Sequence, residues 1–238
     1  MPGQRQGKGV PSSRGSSFRF DPNRRRSPHA FERPAAQRAE RPLLVVAVEG
    51  DTEERYLEEI VRVEREHVAV RYIPAERRGS DPRTIVEAAI AAKREQRGWR
   101  ADTDRAYAVF DGDEHAEGNE GKRARVAQAL NLAAVHNIYL ARSNPSIEFW
   151  IVLHHYYTTG AMHRDDALRE VERLITGYVK GQTVYRTHLR ARMPVAIQNA
   201  ARLREHGIAG NCGDCPNPST GMDELLLFLF GGELPPPG

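Results

Sequence analysis

The sequence has few cysteines and no long apolar segment. Two cysteines among 238 residues are too few for a disulfide-stapled scaffold and suit a reducing cytoplasm. No unbroken apolar run exceeds six residues, as at Leu225–Phe230, whereas a helix needs about 20 to span a bilayer. Hydrophobic residues still make up 39% of the chain, enough for a buried core. We therefore expect a soluble, cytoplasmic protein with no membrane partner.

The net positive charge of the chain comes from its first 41 residues. This segment holds ten Arg and Lys residues and three acids, a net charge of +7, so the rest of the chain carries −4 of the total of +3. A segment rich in Gly, Ser, Pro and Arg cannot bury enough apolar surface to offset its ordering entropy. We expect residues 1–41 to form a disordered basic arm. It is either a phosphate-seeking tail, densest at Arg24–Arg26, or a leader without a target.

Strand-like and helix-like patterns alternate four times after residue 42. Leu43–Val48 is a continuous apolar run, typical of a strand that is buried on both faces. Asp51 and Glu54 then indicate a capping box, and Asp81 and Pro82 suit the N-cap and first residue of a second helix. Such alternation predicts an α/β fold with a mostly parallel central sheet and helices on both faces.

The remaining elements complete a single predicted domain, residues 42–238. Residues 42–155 form its α/β core, and residues 156–230 form a helical C-terminal extension that packs on the sheet. Further strands are expected at Val68–Ile73, Ala106–Phe110 and Asn137–Ala141, and further helices at Lys122–Leu132, from Asn144-Pro145 onward, and at Asp165–Tyr178, Val195–His206 and Asp223–Phe230.

Acidic residues follow the first and third predicted strands where each strand ends. Ligands of open α/β sheets bind beyond the carboxyl ends of the strands. Glu49 leaves the first strand, and Asp111 and Asp113 leave the third on either side of Gly112, which lets the turn bend. Carboxylate oxygens are the ligands that Mg²⁺ prefers. We therefore expect these three acids to hold one Mg²⁺ or Mn²⁺.

A second Asp-x-Asp pair provides an internal control. Asp102 and Asp104 have the spacing of Asp111 and Asp113, but they precede the third strand instead of following it. They should therefore lie at the opposite edge of the sheet, where a turn or cap role is expected.

Phosphate-binding side chains should lie at the same edge as Glu49. Arg77 and Arg78 follow the second strand, and Arg142 and Asn144 follow the fourth. Guanidinium groups bind phosphate in bidentate fashion. Carboxylates, a divalent metal and arginines together favour in-line phosphoryl chemistry, because the metal polarises the phosphate and lowers the pKa of an attacking water.

Other nucleotide-binding folds lack their motifs in this chain. No Gly-x-Gly-x-x-Gly follows the first strand, and no Gly-Lys-Ser/Thr P-loop is present. A phosphatase that forms an aspartyl-phosphate would need its aspartate pair after the first strand, where this chain has Glu49.

Several smaller features stay open. His115 is a general acid, a phosphate contact or a solvated loop residue. Glu148 is a site residue or an acid favoured by the helix dipole. Cys212 and Cys215 resemble half a zinc knuckle with His206 upstream, but no second cysteine pair follows, so ordinary loop thiols are the simpler interpretation. The apolar last helix belongs to the core or docks a partner subunit.

Five motifs in the same order resemble one family. They are Leu44–Glu53 (LVVAVEGDTE), Gly79–Pro82 (GSDP), Asp111–Asp113 (DGD), Asn144–Trp150 (NPSIEFW) and Asn217–Thr220 (NPST). Together, over about residues 42–230, they resemble the RloB family of Toprim-like phage-defence proteins. The resemblance implies a Toprim/Rossmann-like sheet, Mg²⁺-dependent hydrolysis of nucleic acid, and an ATPase partner encoded alongside.

The resemblance also implies roles for individual residues. Glu49 would be the general acid/base or a metal ligand, Asp111 and Asp113 would be metal ligands, and Asn144 and Glu148 would lie beside the site. Many Toprim domains have a third acid where this chain has His115, so the number of metal ions, one or two, stays open.

Two functions are compatible with these features. The first is a Mg²⁺-dependent nuclease that cleaves DNA or RNA, including tRNA, as the effector of an anti-phage abortive-infection system. The second is a non-catalytic subunit of a defence complex that binds nucleic acid or a partner, with affinity supplied by the basic arm. A homo-oligomer is compatible with either.

Overall fold

A five-stranded sheet organises the chain in a computed structural model, which describes residues 41–64, 68–74, 81–112, 120–209 and 216–233. The strands are β1 (Leu43–Val48), β2 (Ala69–Pro74), β3 (Arg105–Asp111), β4 (Tyr139–Asn144) and β5 (Ser219–Thr220). They adjoin in the order β2-β1-β3-β4-β5. The first four are parallel, and β5 runs antiparallel to β4. The fold is therefore Rossmann-like α/β with a mostly parallel sheet, as predicted.

The sheet separates two hydrophobic cores, which explains why β1 is apolar throughout. Leu44, Val46 and Val48 pack into one core, and Val45 and Ala47 pack into the other. All five side chains are almost completely buried. A strand covered on both faces needs apolar residues at every position.

Seven α-helices lie within the described residues and cover both faces of the sheet. Helices α2 (Pro82–Arg94) and α3 (Glu120–His136) build the smaller core; α1 (Asp51–Val63), α4 (Ile147–Leu153), α5 (Arg164–Leu174), α6 (Met193–Ala209) and α7 (Met222–Leu229) build the larger one. A π-helical turn at Tyr185–Leu189 and a 3₁₀ turn at Arg190–Arg192 precede α6. No helix in the described ranges is long and apolar enough to cross a bilayer.

The helical C-terminal extension shares its core with the sheet. Val171 of α5, Ala196 of α6 and Leu225 of α7 belong to the same buried cluster as Leu44 of β1. The described residues from 41 onward accordingly form one compact unit.

The first two helices begin with different caps. For α2 the predicted cap is present, because the Asp81 carboxylate accepts a hydrogen bond from the Arg83 N–H at 3.0 Å. For α1 the predicted capping box of Asp51 and Glu54 is wrong: the N-cap is Gly50, and no side chain caps the helix. The acids in its first turn still favour the helix through its dipole.

The fourth helix begins later than predicted. Residues up to Asn144 stay extended in β4, because Ser143 and Asn144 pair with Thr220 and Ser219 of β5, and α4 starts only at Ile147. Strand β5 was not predicted, since a two-residue strand carries no hydrophobic periodicity.

Asp102 and Asp104, the control pair, lie at the beginning of β3, as predicted from their position before this strand. Asp104 precedes β3, and its carboxylate accepts hydrogen bonds from the Leu43 N–H at 2.9 Å and the Arg100 N–H at 2.8 Å. The Arg100 guanidinium adds an ion pair at 3.2 Å, whereas Asp102 is exposed. Asp104 therefore joins the beginnings of β1 and β3 in a structural turn.

Replacing Asp104 with asparagine should lower the free energy of unfolding by about 1–3 kcal/mol at pH 7. Burial alone would raise the pKa of Asp104, but the N–H groups of Leu43 and Arg100 and the Arg100 guanidinium outweigh it and lower the pKa. A lowered carboxyl pKa stabilises the fold above the unfolded value of about 4 and loses this effect as the pH falls. Urea unfolding at pH 7 and pH 3 should therefore show a smaller difference at pH 3. The exposed Asp102→Asn change is the control, and equal losses in both variants would contradict the assigned role.

Candidate functional site

Glu49 and Asp111 meet at the carboxyl ends of β1 and β3. The two strands are parallel neighbours with Val48 opposite Val109, and the Glu49 N–H donates to the Val109 carbonyl at 3.0 Å. The Glu49 carboxylate in turn accepts a hydrogen bond from the Asp111 N–H at 2.8 Å. The pairing of the strands thus brings together two acids that are 62 residues apart.

Both carboxylate oxygens of Asp111 have partners in the protein. The residue is 4% exposed. Its Oδ1 accepts a hydrogen bond from the Ile147 N–H, at the start of α4, at 3.0 Å. Its Oδ2 lies 2.8 Å from the Arg164 guanidinium at the start of α5. The helices that follow the sheet therefore hold this carboxylate in place.

Two further acids, Glu53 and Glu148, are buried near this edge. Glu148 Oε2 accepts a hydrogen bond from the Ser146 hydroxyl at 2.6 Å. Its Oε1 lies 3.7 Å from Lys180 Nζ and has no hydrogen-bond partner among the described residues. The Glu53 carboxylate lies beside Gly50, where a Cβ would come within 3.1 Å of it. Burial of both acids costs free energy unless cations or protons compensate their charge.

Burial and the charges of neighbouring carboxylates raise the pKa values of Asp111 and Glu53. Burial is the main cause of the raised pKa of Asp111, followed by the charges of Glu53 and Glu49, and the Arg164 guanidinium offsets only part of it. Burial likewise raises the pKa of Glu53 to about 7, with Glu49 and Glu148 contributing. The cluster therefore resists carrying its full negative charge.

Strand β4 contributes Arg142 and Asn144, which pack around Gly112. Both side chains are buried, and a Cβ on Gly112 would lie 3.0 Å from Arg142 Nε and from Asn144 Cβ. Asn144 also donates to the Pro216 carbonyl at 3.4 Å. Gly112 is required by this close approach, and its φ lies outside the left-handed region that favours glycine.

Several predicted site residues lie outside the described part of the chain. They are Arg77, Arg78, Asp113, His115, Cys212 and Cys215. Within the described ranges, no group of three His, Cys, Asp or Glu side chains is arranged to hold a metal ion. The donor chemistry of Glu49 and Asp111 nevertheless fits a hard divalent cation.

Glu53, Arg164 and Lys180 were not predicted as site residues from the sequence. Glu53 could have been found, because it follows Glu49 by four residues and lies in the first turn of the helix that leaves the same strand end. Arg164 and Lys180 carry no local signal. They reach the edge only because the extension packs on the sheet.

A family model described as RloB-like protein matches residues 44–229. The chain belongs to the RloB-like protein family. The match runs from β1 to the last residue of α7, so it includes every described acid of the cluster and both basic partners. No curated protein and no solved structure matches the sequence of this RloB-like protein.

Replacing Arg164 with methionine should destabilise the protein most at neutral and alkaline pH. Without the guanidinium the folded-state pKa of Asp111 rises further above the unfolded value of about 4. A raised carboxyl pKa favours the fold at low pH, and this contribution is lost as the pH rises through the folded-state pKa. Denaturant unfolding should show a loss of about 1–3 kcal/mol at pH 8 and a smaller loss at pH 5.

The matched control for this change is Arg169→Met. Arg169 lies on the same helix, pairs with Asp166 and is largely exposed, so its replacement should cost less than about 0.5 kcal/mol. A loss in Arg164→Met that is equal at both pH values would show that packing, rather than the charge of Asp111, is responsible.

Proposed function

We propose that this RloB-like protein is a Mg²⁺-dependent nuclease that hydrolyses phosphodiester bonds of nucleic acid at the edge formed by β1 and β3. The observation that carries the proposal is the contact between the Glu49 carboxylate and the Asp111 N–H at 2.8 Å. It unites acids from two neighbouring parallel strands beyond their carboxyl ends, where open α/β sheets bind their ligands. The buried, mutually repelling carboxylates around this contact supply the charge that attracts a divalent cation.

The residues of this edge have separate roles in the proposal. Glu49 and Asp111, together with Asp113, which lies outside the described residues, would hold the ion, which when bound polarises the phosphate and lowers the pKa of a water molecule. Ile147 and Arg164 orient the Asp111 carboxylate through the contacts described above. Fixed orientation matters because a small misplacement of a reacting group costs a large factor in rate.

The biological role rests on family resemblance alone. The proposed role comprises phage defence by abortive infection, a cytoplasmic location and an ATPase partner encoded alongside. The resemblance also implies hydrolysis of nucleic acid, so DNA and RNA, including tRNA, are the substrates to assay first.

Removing either acid should abolish cleavage of nucleic acid. Glu49→Gln and Asp111→Asn should each lower the rate of DNA, RNA or tRNA cleavage in Mg²⁺ or Mn²⁺ by more than about 100-fold, because changes to outer-shell partners alone cost 10–100-fold. Glu58→Gln is the control, since Glu58 is an exposed acid of α1. Cleavage that persists in both site variants would exclude the assigned site.

A thermal-unfolding assay separates metal binding from catalysis. A ligand that binds only the folded state raises the unfolding temperature. Mg²⁺ or Mn²⁺ should therefore raise that temperature in the native sequence and in Glu58→Gln, but not in Glu49→Gln. This readout applies even when an ATPase partner restrains the nuclease, and an equal shift in all three proteins would contradict the metal site.

A second function, non-catalytic binding of nucleic acid or a partner, is favoured by the contacts of Asp111. Its two oxygens are engaged by the Ile147 N–H and by Arg164. The described residues also contain no group of three ligands arranged for a metal. Under this function the edge of the sheet is a structural platform, and affinity for nucleic acid comes from the basic arm.

Deleting residues 1–40 distinguishes the two functions. Arg41 is kept because its carbonyl accepts a hydrogen bond from Arg100. If the arm supplies the affinity, the deletion should abolish binding of a labelled oligonucleotide and flatten its salt dependence. For duplex DNA, the logarithm of the binding constant falls against the logarithm of the salt concentration with a slope of about −0.9 per neutralised phosphate. Glu49→Gln should then bind normally in fluorescence anisotropy. Binding that survives the deletion would locate the nucleic-acid surface on the folded unit instead.

A further inference from the structure

A cavity of about 780 Å³ lies at the edge of the sheet opposite the carboxylates. Its walls come mainly from the beginnings of β3 and β4 and from α7: Arg105, Tyr107, Tyr139, Glu224, Leu227 and Phe228. The volume is within the range of small-molecule sites. Arg105 and Asp111 are the two ends of β3, so about 20 Å of strand separates the cavity from the acidic edge.

Two aromatic rings flank the guanidinium of Arg105. Its Cζ lies 4.8 Å from the ring centroid of Tyr139 and 4.8 Å from that of Phe228. Contacts of this kind stabilise the cation and restrict its position. Among the residues that the structure describes, no carboxylate lies within ion-pair distance of Arg105. Its charge is therefore available to a bound anion.

Tyr107 adds a buried hydroxyl to the same cavity. The residue is 1% exposed, and its ring stacks on Tyr139 with centroids 5.2 Å apart. Its hydroxyl has no hydrogen-bond partner of normal geometry within the described ranges, and a buried donor without a partner is unfavourable. Burial raises the pKa of this hydroxyl, and the nearby Arg105 guanidinium offsets part of the rise. An acceptor placed in the cavity would satisfy the hydroxyl and face the guanidinium at once.

Glu224, the acidic residue in the cavity wall, is paired with a cation that does not line the cavity. Glu224 lies 3.4 Å from the guanidinium of Arg204, and its side chain is 55% exposed. The remaining walls, including Val68 and Leu227, are apolar. The cavity thus combines a cation and a hydroxyl donor with an aromatic and aliphatic surface.

We propose that this cavity binds a small anion whose carboxylate or phosphate group is carried on an aromatic or aliphatic body. The anionic group accepts hydrogen bonds from Arg105 and Tyr107, and the body packs against Tyr139 and Phe228. Charge-assisted hydrogen bonds to a guanidinium supply the specificity for the anionic group. The site shares no residue with the proposed nuclease edge, so the two proposals stand or fall separately.

Probe binding to the full chain tests the proposal. 1-Anilinonaphthalene-8-sulfonate, an aromatic anion, should bind at one saturable site in a fluorescence titration. Arg105→Gln should weaken it about 10-fold or more, since hydrogen bonds to charged groups contribute about 1.5–3 kcal/mol. The same change should lower the affinity for the neutral probe N-phenyl-1-naphthylamine by less than about 3-fold. Competition by 2-naphthoate and by 1-naphthyl phosphate then shows which anionic group the site prefers.

Matched variants complete the test. Arg71→Gln changes an arginine of β2 that is paired with Glu95 and should leave both probes unaffected, whereas Leu227→Trp should fill the cavity and exclude both. Unchanged sulfonate affinity in Arg105→Gln, or binding at many weak sites, would overturn the proposal. If Arg105→Gln fails to fold, Tyr107→Phe decides, because it removes only the hydroxyl: a loss of about 3-fold or more supports the site, and full affinity overturns it.

Discussion

The parallel pairing of β1 with β3 is the constraint on which the candidate active site depends. Backbone hydrogen bonds between these strands set Val48 opposite Val109, so the residues that follow them must emerge at the same edge. Glu49 then contacts the backbone of Asp111 directly. A shift of one residue in this register would turn one of the two side chains to the other face of the sheet.

The acidic edge needs the helical extension for its own stability. Four carboxyl groups lie buried or partly buried there, and burial and neighbouring charges raise the pKa values of Glu53 and Asp111. Compensating cations come from beyond the α/β core, from Arg164 at the start of α5 and Lys180 after it. The segment that carries Lys180 is itself attached to α1, because Arg55 donates a hydrogen bond to the Gly181 carbonyl at 3.0 Å. Core and extension therefore build one site together.

The opposite edges of the same sheet have different chemistry. Acids gather at the carboxyl ends of the strands, whereas a cation between aromatic rings lies at their beginnings. Asp102 and Asp104 show the same division. They have the spacing of Asp111 and Asp113, but they precede β3, and Asp104 forms a turn there. Residue type alone does not distinguish these roles. The direction of the strand does.

By itself the sequence determined the first four strands, most of the helices, the direction of those strands and hence the edge at which Glu49 and Asp111 emerge. This was possible because hydrophobic periodicity and turn chemistry are local properties. Only the tertiary structure decided that Arg164 and Lys180 face these acids, that β5 extends the sheet, and that Arg105 and Phe228 line one cavity. These contacts join residues far apart in the chain, and they arise from the packing of the extension, which no local pattern encodes.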